Sequence, residues 1–191
     1  GENKIHCGSS NFRRQMEQTP FTHGEFLTSM SEFLQGESIR AAVSQIDADV
    51  VIVGHSHLQW HGWCEGRLVL NPGSCGQPLD FAPGAPYSIL HVTEQGFFVE
   101  ERRVLYDIEE TIAKDKRSSV YEAGQFWSQL VYLALRTGKD YFSECFAIAK
   151  QLADQKGETG SFYANDTWRK AGELFFESCP DVRLPEKVAL R

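Results

Sequence analysis

The chain has 191 residues, of which 41% are hydrophobic, and it carries a formal net charge of −7. This length and apolar content suffice for one well-filled core, whereas the acidic balance argues against general binding to nucleic acids or anionic membranes, which require basic surfaces. No apolar run approaches the roughly 18 residues of a membrane-spanning helix. Five widely spaced cysteines without a Cys-x-x-Cys pair indicate free thiols in a reducing, cytoplasmic compartment.

The first segment with potential chemistry is 4–9, Lys-Ile-His-Cys-Gly-Ser, in which His6 precedes a Gly-Ser pair after a short strand-like run. His23, followed directly by glycine, offers a second His-Gly pair, but no strand-like run precedes it. Cys7, together with Cys75, raises the alternative of a mixed Cys/His zinc site. Buried structural thiols are the commoner arrangement for such cysteines.

Helical periodicity begins at Glu25. Apolar residues recur with helical spacing to Leu34, Gly36 interrupts the pattern, and the pattern resumes over 37–46. The run 50–53, Val-Val-Ile-Val, then predicts a strand that is buried on both faces of a sheet. A helix followed by a buried strand and a glycine turn is typical of layered α/β proteins.

The segment 54–57, Gly-His-Ser-His, follows this strand directly. Ligands tend to bind at the carboxyl ends of such strands, and a His-x-His turn can direct two imidazoles into one cavity. Gly54 lacks the Cβ that would obstruct a metal or a phosphate there. A lone His-x-His is often only a polar loop, but here a second Gly/Pro-rich turn lies about fifteen residues further on. We therefore predict that His55 and His57 are metal ligands.

That second turn is 71–78, Asn-Pro-Gly-Ser-Cys-Gly-Gln-Pro. Its backbone N–H groups would lie beside residues 54–57, the histidine loop, where they could orient the loop or contact phosphate oxygens. Gly54, Asn71 and Ser74 are the candidates for this role. A purely structural tight turn is an equally good interpretation of the same residues.

Further strands are predicted at 67–70, 86–92 and 97–104, separated by Gly/Pro turns. The aromatic run 60–63, Trp-His-Gly-Trp, is more typical of a hairpin at the sheet edge than of a wall of a substrate cleft. Under that interpretation His61 is a surface histidine and not a third ligand.

After Tyr106 the sequence predicts helices, which places a domain boundary there, with a helical appendage over 107–191. The charges of 107–116 suit a helix macrodipole, and a helical hairpin is predicted over 119–155, capped by Ser118 or Ser119. A final helix over 166–178 would be capped by Asn165 or Asp166. Apolar side chains left exposed on these helices would indicate a homo-oligomer or a partner site.

Three motifs occur in a characteristic order: Gly-His-Ser-His at 54–57, the turn 71–78, and Arg-Arg-Val-Leu-Tyr-Asp at 102–107. In this order they resemble the calcineurin-like metallophosphoesterases, in particular their small bacterial phosphodiesterase branch. The resemblance is strong over 49–108 and weak over 4–48. It implies an αββα sandwich, of which residues 1–106 would form the C-terminal part. It also implies hydrolysis of a phosphomonoester or phosphodiester, from a phosphorylated small molecule or nucleotide, by a metal-bridging hydroxide at a dinuclear Mn, Fe or Zn site.

Carried over to this sequence, the resemblance makes His55 a ligand of one metal and His57 a ligand of the other. It also requires a histidine from the end of an earlier strand, for which His6 is favoured over His23. The family's Asp-x-His, Gly-Asp and Gly-Asn-His motifs, which supply the bridging carboxylate, the other ligands and the general acid, are absent from these 191 residues.

The expectation is therefore that this chain is the C-terminal part of a longer protein whose first half completes the site. Two neighbouring cations repel each other and need carboxylates to neutralise them, which neutral imidazoles cannot do. The chain alone should then bind at most one metal loosely and be inactive, with no catalytic residue of its own.

Two alternatives belong to other classes of protein. A non-catalytic scaffold is one, since a retromer subunit uses this fold for protein contacts and the helical appendage would suit docking. A metallo-β-lactamase type of hydrolase is the other, but it requires Asp-His directly after the histidine pair, where this chain has Leu58 and Gln59.

Overall fold

The computed structural model describes residues 4–9, 34–159 and 163–179. The chain divides into two compact units, Gly1–Leu105 and Tyr106–Arg191, and the boundary predicted after residue 106 lies one residue further along. The first unit combines strands with a helix, and every described element of the second is helical. The prediction of a mixed α/β architecture followed by a helical module is thus confirmed.

The first unit contains six described strands and a described helix. Of the helix predicted from Glu25, only the end at Leu34 lies within the described residues, and it is helical. In chain order the elements are β1 (Ile5–Ser9), α1 (Glu37–Ser44), β2 (Val50–Gly54), β3 (Gln59–Cys64), β4 (Arg67–Pro72), β5 (Ala85–Thr93) and β6 (Gly96–Val104).

Four of these strands form one sheet in the order β1-β2-β4-β3, and β5 and β6 form a separate antiparallel pair. Strands β1, β2 and β4 run parallel, with Val50 opposite Leu68. Parallel strands end at the same edge of a sheet, so the chain segments that follow Gly54 and Pro72 both leave the sheet at that edge. This topology gives the histidine loop and the turn 71–78 a common location.

Both faces of β2 are covered, which explains its continuous apolar sequence. On one face Val51 and Val53 belong to a cluster with Ile39 and Val43 of α1. On the other face Val50, Leu68 and Leu70 pack with side chains of the second sheet, namely Leu90, Phe97 and Val99. The prediction of a strand buried on both faces is confirmed, and the described residues form successive helix, sheet and sheet layers.

The aromatic segment after the histidine loop forms β3, an edge strand antiparallel to β4. Trp60 is 5% exposed and faces the core, whereas Trp63 is 54% exposed. The prediction of a hairpin strand at the sheet edge is therefore confirmed.

The second unit contains α2 (Ile108–Asp115), α3 (Ser119–Thr137), α4 (Phe142–Lys156) and α5 (Asn165–Ser178). The first two begin with side-chain caps, as Asp107 accepts from the Glu110 N–H at 2.8 Å and Ser118 accepts from the Tyr121 N–H at 3.3 Å. Gly138 ends α3 in the left-handed conformation (φ 70°). These termini agree with the predicted helical hairpin. No helix in the described ranges is long and apolar enough to cross a bilayer.

The predicted cap of the final helix is wrong. Helix α5 follows Ala164 as its N-cap residue, and neither Asn165 nor Asp166 caps it. The Glu158 carboxylate instead accepts hydrogen bonds from the Ala164 N–H at 2.9 Å and from the Thr167 hydroxyl. An acidic side chain from the preceding loop thus satisfies the start of the helix, which short-range sequence rules do not anticipate.

Candidate metal site

The histidine loop has an unusual backbone. His55 and His57 both adopt positive φ angles, 76° and 60°, and the Ser56 N–H closes the turn by donating to the Gly54 carbonyl at 3.0 Å. Non-glycine residues in this region cost about 1–3 kcal/mol each and persist only where surrounding contacts hold them, commonly at functional sites. The contacts around His55 and His57 therefore show what holds the loop in this conformation.

The serine between the two histidines is fixed from the neighbouring strand. Ser56 is 6% exposed, and its hydroxyl accepts a 2.8 Å hydrogen bond from the side-chain amide of Asn71, which is 1% exposed. The Asn71 side-chain oxygen accepts in turn from the Gly73 N–H at 3.0 Å. A buried amide that is engaged through both its nitrogen and its oxygen couples the two turns, which is a loop-orienting arrangement.

The remaining candidates in the two turns have different surroundings. The Ser74 hydroxyl accepts from the Gln77 N–H at 3.1 Å, so it stabilises its own turn. Gly73 needs to be glycine, since its φ is 84° and a Cβ there would lie 2.7 Å from the Pro86 side chain. A Cβ at Gly54 would meet no atom of the described residues within 4 Å, so none of these residues obstructs the start of the histidine loop.

His57 is held by its ring and by its backbone. Its Nδ1 lies 3.0 Å from the Gln77 carbonyl oxygen, and its own carbonyl accepts from the Leu79 N–H at 3.2 Å. A carbonyl cannot donate, so Nδ1 carries the proton, and in the neutral ring Nε2 holds the lone pair. Metal-bound histidines in proteins generally donate their other ring N–H to a carbonyl or a carboxylate in this way. The arrangement of His57 therefore fits a metal ligand.

His55 is exposed, and among the described residues its ring has no hydrogen-bond partner. His61 is different: on β3 its Nδ1 lies 2.7 Å from Glu101 Oε1 and its side chain is 39% exposed. The prediction that His61 is a surface histidine is confirmed.

The third predicted ligand lies differently from expectation. His6 is the second residue of β1 and pairs with Val51, whereas β1 continues to Ser9, opposite Gly54. At about 3.3 Å per residue, the His6 backbone is roughly 10 Å before the carboxyl end of the sheet. The His6 side chain and the whole of the alternative, His23, fall outside what the structure describes, so their roles as ligands stay predictions.

The described residues fit a metal site only in part. Within them, no group of three or more His, Cys, Asp or Glu side chains is placed to hold a metal ion. The donor type and the tautomer of His57 suit a divalent transition metal, but two neutral imidazoles cannot balance a pair of cations. A dinuclear centre would need further ligands and negative charge.

The cysteines differ from expectation. All five lie in the described ranges and none is in a disulfide, and Cys7 and Cys75 are exposed, not buried structural thiols as expected. Burial does apply to Cys145, where it raises the pKa of the thiol to about 11. The mixed Cys/His zinc alternative has no supporting cluster in the described ranges.

Sequence reasoning missed an ion pair beside the site. Arg103 on β6 donates from Nη2 to Asp80 Oδ2 at 2.5 Å and from Nη1 to the Ala82 carbonyl at 3.0 Å. Asp80 is 7% exposed. The available signal was the alternation of β6, since Arg103 has the same parity as the inward-facing Phe97 and Val99.

Comparison with known proteins shows that part of the chain matches a protein-family model. The family model described as the calcineurin-like phosphoesterase superfamily domain matches residues 3–95. An uncharacterised protein of Methanocaldococcus jannaschii is 37% identical over 81 residues, which cover 35% of this chain and 32% of that protein. The chain thus spans about a third of the length of this curated relative.

Solved structures give weaker likenesses. A hypothetical protein from Pyrococcus horikoshii has 21% identity and a TM-score of 0.38, covering 55% of this chain and 37% of that one. A metallophosphoesterase from Sphaerobacter thermophilus has 26% identity and a TM-score of 0.37, covering 52% of this chain and 48% of that one. Residues 3–95, the segment that the calcineurin-like phosphoesterase superfamily model matches, include both histidines and the turn 71–78.

Proposed function

We propose that the complete protein is a metal-dependent phosphoesterase that hydrolyses a phosphomonoester or a phosphodiester. The observation that carries this proposal is the hydrogen bond from His57 Nδ1 to the Gln77 carbonyl, within the segment that matches the family. It sets the tautomer in which Nε2 of the neutral ring holds the lone pair that a metal requires.

In this proposal His55 and His57 hold one ion each of a pair of divalent transition metals such as Mn, Fe or Zn. When bound, such metals lower the pKa of water and polarise phosphoryl oxygens. The chain's own part is to fix the two imidazoles: Asn71 anchors Ser56 between them, and Gln77 orients one ring. The bridging carboxylate, the general acid and the other ligands would come from residues beyond those of this chain.

The proposed substrate class rests on the charge of the chain. We propose a phosphorylated small molecule or a nucleotide, because the net charge of −7 disfavours a long polyanion such as a nucleic acid. Small aryl phosphates are therefore suitable probes for a first assay.

The test is metal removal from the complete protein, with an aryl phosphomonoester and an aryl phosphodiester as probes. Chelation followed by desalting should reduce hydrolysis of at least one probe to the uncatalysed background. Mn²⁺, Fe²⁺ or Zn²⁺ should restore it, and Ca²⁺, which prefers oxygen ligands, serves as the matched control. Hydrolysis that continues in protein verified to contain no metal would contradict the proposal.

A non-catalytic scaffold is the second candidate, and one feature of the helical unit favours it. Aromatic residues line a groove of about 500 Å³ there, including Trp127, Phe146 and Trp168. Trp127 and Phe146 are 41% and 40% exposed. An exposed aromatic groove suits a partner or a second copy of the chain. A complete protein without metal-dependent hydrolysis of either probe would favour this alternative.

A further inference from the structure

We infer that the ion pair between Arg103 and Asp80 is a positioning element for His57. Through this ion pair, β6 of the second sheet fixes residues 77–82. The first part of this segment sets the tautomer and the backbone position of His57. The inference rests on the proposed function in taking His57 as a metal ligand.

One short segment, residues 77–79, holds His57 at two points. Gln77 supplies the carbonyl that accepts from Nδ1, and Leu79 supplies the N–H that donates to the His57 carbonyl. Both contacts come from backbone atoms, so they depend on where the segment lies and not on its side chains. Any shift of residues 77–79 would change the ring and the main chain of His57 together.

The chain directly after this segment is anchored to β6. The Arg103 guanidinium donates to the Asp80 carboxylate at 2.5 Å and to the Ala82 carbonyl at 3.0 Å. Its two contacts flank Phe81, which has a left-handed φ of 66°. A strained residue of this kind keeps its conformation only where its neighbours hold it. One planar guanidinium on a regular strand therefore fixes the chain on both sides of the bend.

The bend around Phe81 also approaches β6 closely. Gly84 has a φ of 103°, and a Cβ there would lie 2.8 Å from the Val104 carbonyl oxygen. Only glycine permits that approach, and it brings the segment directly against the strand that carries Arg103. The geometry of the bend is thus fixed by Gly84 in the segment itself and by Arg103 on β6.

The ion pair between Asp80 and Arg103 is largely buried. The side chains of Asp80 and Arg103 are 6% and 21% exposed, and within the described residues the second oxygen, Asp80 Oδ1, is buried without a hydrogen-bond partner. A buried carboxylate with one paired oxygen depends strongly on that partner, and removing the partner leaves an uncompensated charge. Residue 80 would then move toward solvent and carry Leu79 and Gln77 with it.

The test measures the ring nitrogens of His57 by ¹⁵N NMR in the metal-free full chain, at a pH where imidazole is neutral. His57→Gln assigns the signals. The wild type should show a protonated Nδ1 and an unprotonated Nε2, as set by the carbonyl contact. Arg103→Lys, which keeps the charge but not the fork, and Asp80→Asn should move the two ¹⁵N shifts toward each other as the tautomers average.

Arg102→Lys is the matched control. Arg102 precedes Arg103 on the same strand and forms a similar fork with Glu100, but at an exposed site. This variant should leave the His57 shifts unchanged. If Arg103→Lys and Asp80→Asn retain the wild-type shifts while circular dichroism shows them folded, the inference is wrong. If both lose their fold, the pair maintains the whole unit and does not specifically position His57, which also overturns the inference.

A cobalt titration of the complete protein separates this result from the proposed function. Loss of the ion pair should weaken Co²⁺ binding by roughly 10–100-fold, the usual cost of losing a residue that orients a metal ligand. A wild-type protein that shows the fixed tautomer but binds no Co²⁺ would contradict the proposed function and leave the positioning of His57 supported.

Discussion

Replacing both His55 and His57 by alanine in the complete protein is expected to remove bound metal and hydrolysis together. Alanine supplies no donor atom, so neither ion of the proposed pair would keep its full set of ligands. The rate should fall by more than the roughly 10–100-fold that loss of an outer-shell partner costs. The measurements are the metal content per chain by elemental analysis and the rate of aryl phosphate hydrolysis.

His61→Ala is the control for this double variant. His61 is also near the loop in sequence, but it pairs with Glu101 on the surface of the sheet. Its loss should leave metal content and rate near those of the wild type. A double variant that keeps its metal and its rate would show that the two histidines are not ligands.

Phe175→Ala is expected to destabilise the helical unit by about 3–5 kcal/mol, the usual cost of removing a buried phenylalanine ring. Phe175 is 0% exposed, and its ring contacts Tyr141 edge-on with centroids 6.1 Å apart. Truncation would therefore leave a cavity that close-packed helices cannot fill. Urea unfolding followed by helical circular dichroism measures the loss as a lower midpoint.

Phe146→Ala is the comparison for the core variant. Phe146 is 40% exposed, and its ring lies 5.1 Å from that of Trp168. Less apolar area leaves water at this position on folding, so its truncation should cost clearly less. Equal losses for the two variants would contradict the assignment of Phe175 to the core and of Phe146 to the groove.

Local sequence rules predicted much of this fold because the responsible interactions are local. The run 50–53 is continuous and apolar, and it forms a strand covered on both faces. Asp107 and Ser118 cap helices because their side chains reach an N–H three residues ahead. Gly138 ends a helix because it tolerates positive φ. Each of these outcomes is decided within a few residues of chain.

The remainder depends on contacts between distant residues, which one sequence does not reveal. Asp80 and Arg103 are 23 residues apart, and Asn71 and Ser56 are 15 residues apart. The cap of α5 failed for a related reason, since Glu158 reaches Ala164 across a loop. Pairings of this kind follow from the packing of the sheets and helices. The sequence pattern therefore predicts the strands and helices but not which distant residues contact each other.

In the candidate site, too, local motifs predict some features, whereas others depend on contacts between distant residues. The motif at 54–57 predicts both histidines as ligands, but the hydrogen bond that sets the tautomer of His57 involves a backbone carbonyl and has no sequence signature. His6 illustrates the opposite case. Its motif suggested a strand end, whereas the register places it opposite Val51 within the strand. Register depends on pairing with β2, which short-range sequence patterns do not specify.

The most direct measurement is the position of a metal relative to the histidine loop in crystals of the complete protein grown with Zn²⁺. Anomalous diffraction should place a zinc ion about 2.0–2.1 Å from Nε2 of His57, the usual Zn–N distance. A second ion should be bound by His55. Zinc found only at other residues, with the His57 ring still bonded to Gln77 and no ion at Nε2, would contradict the account.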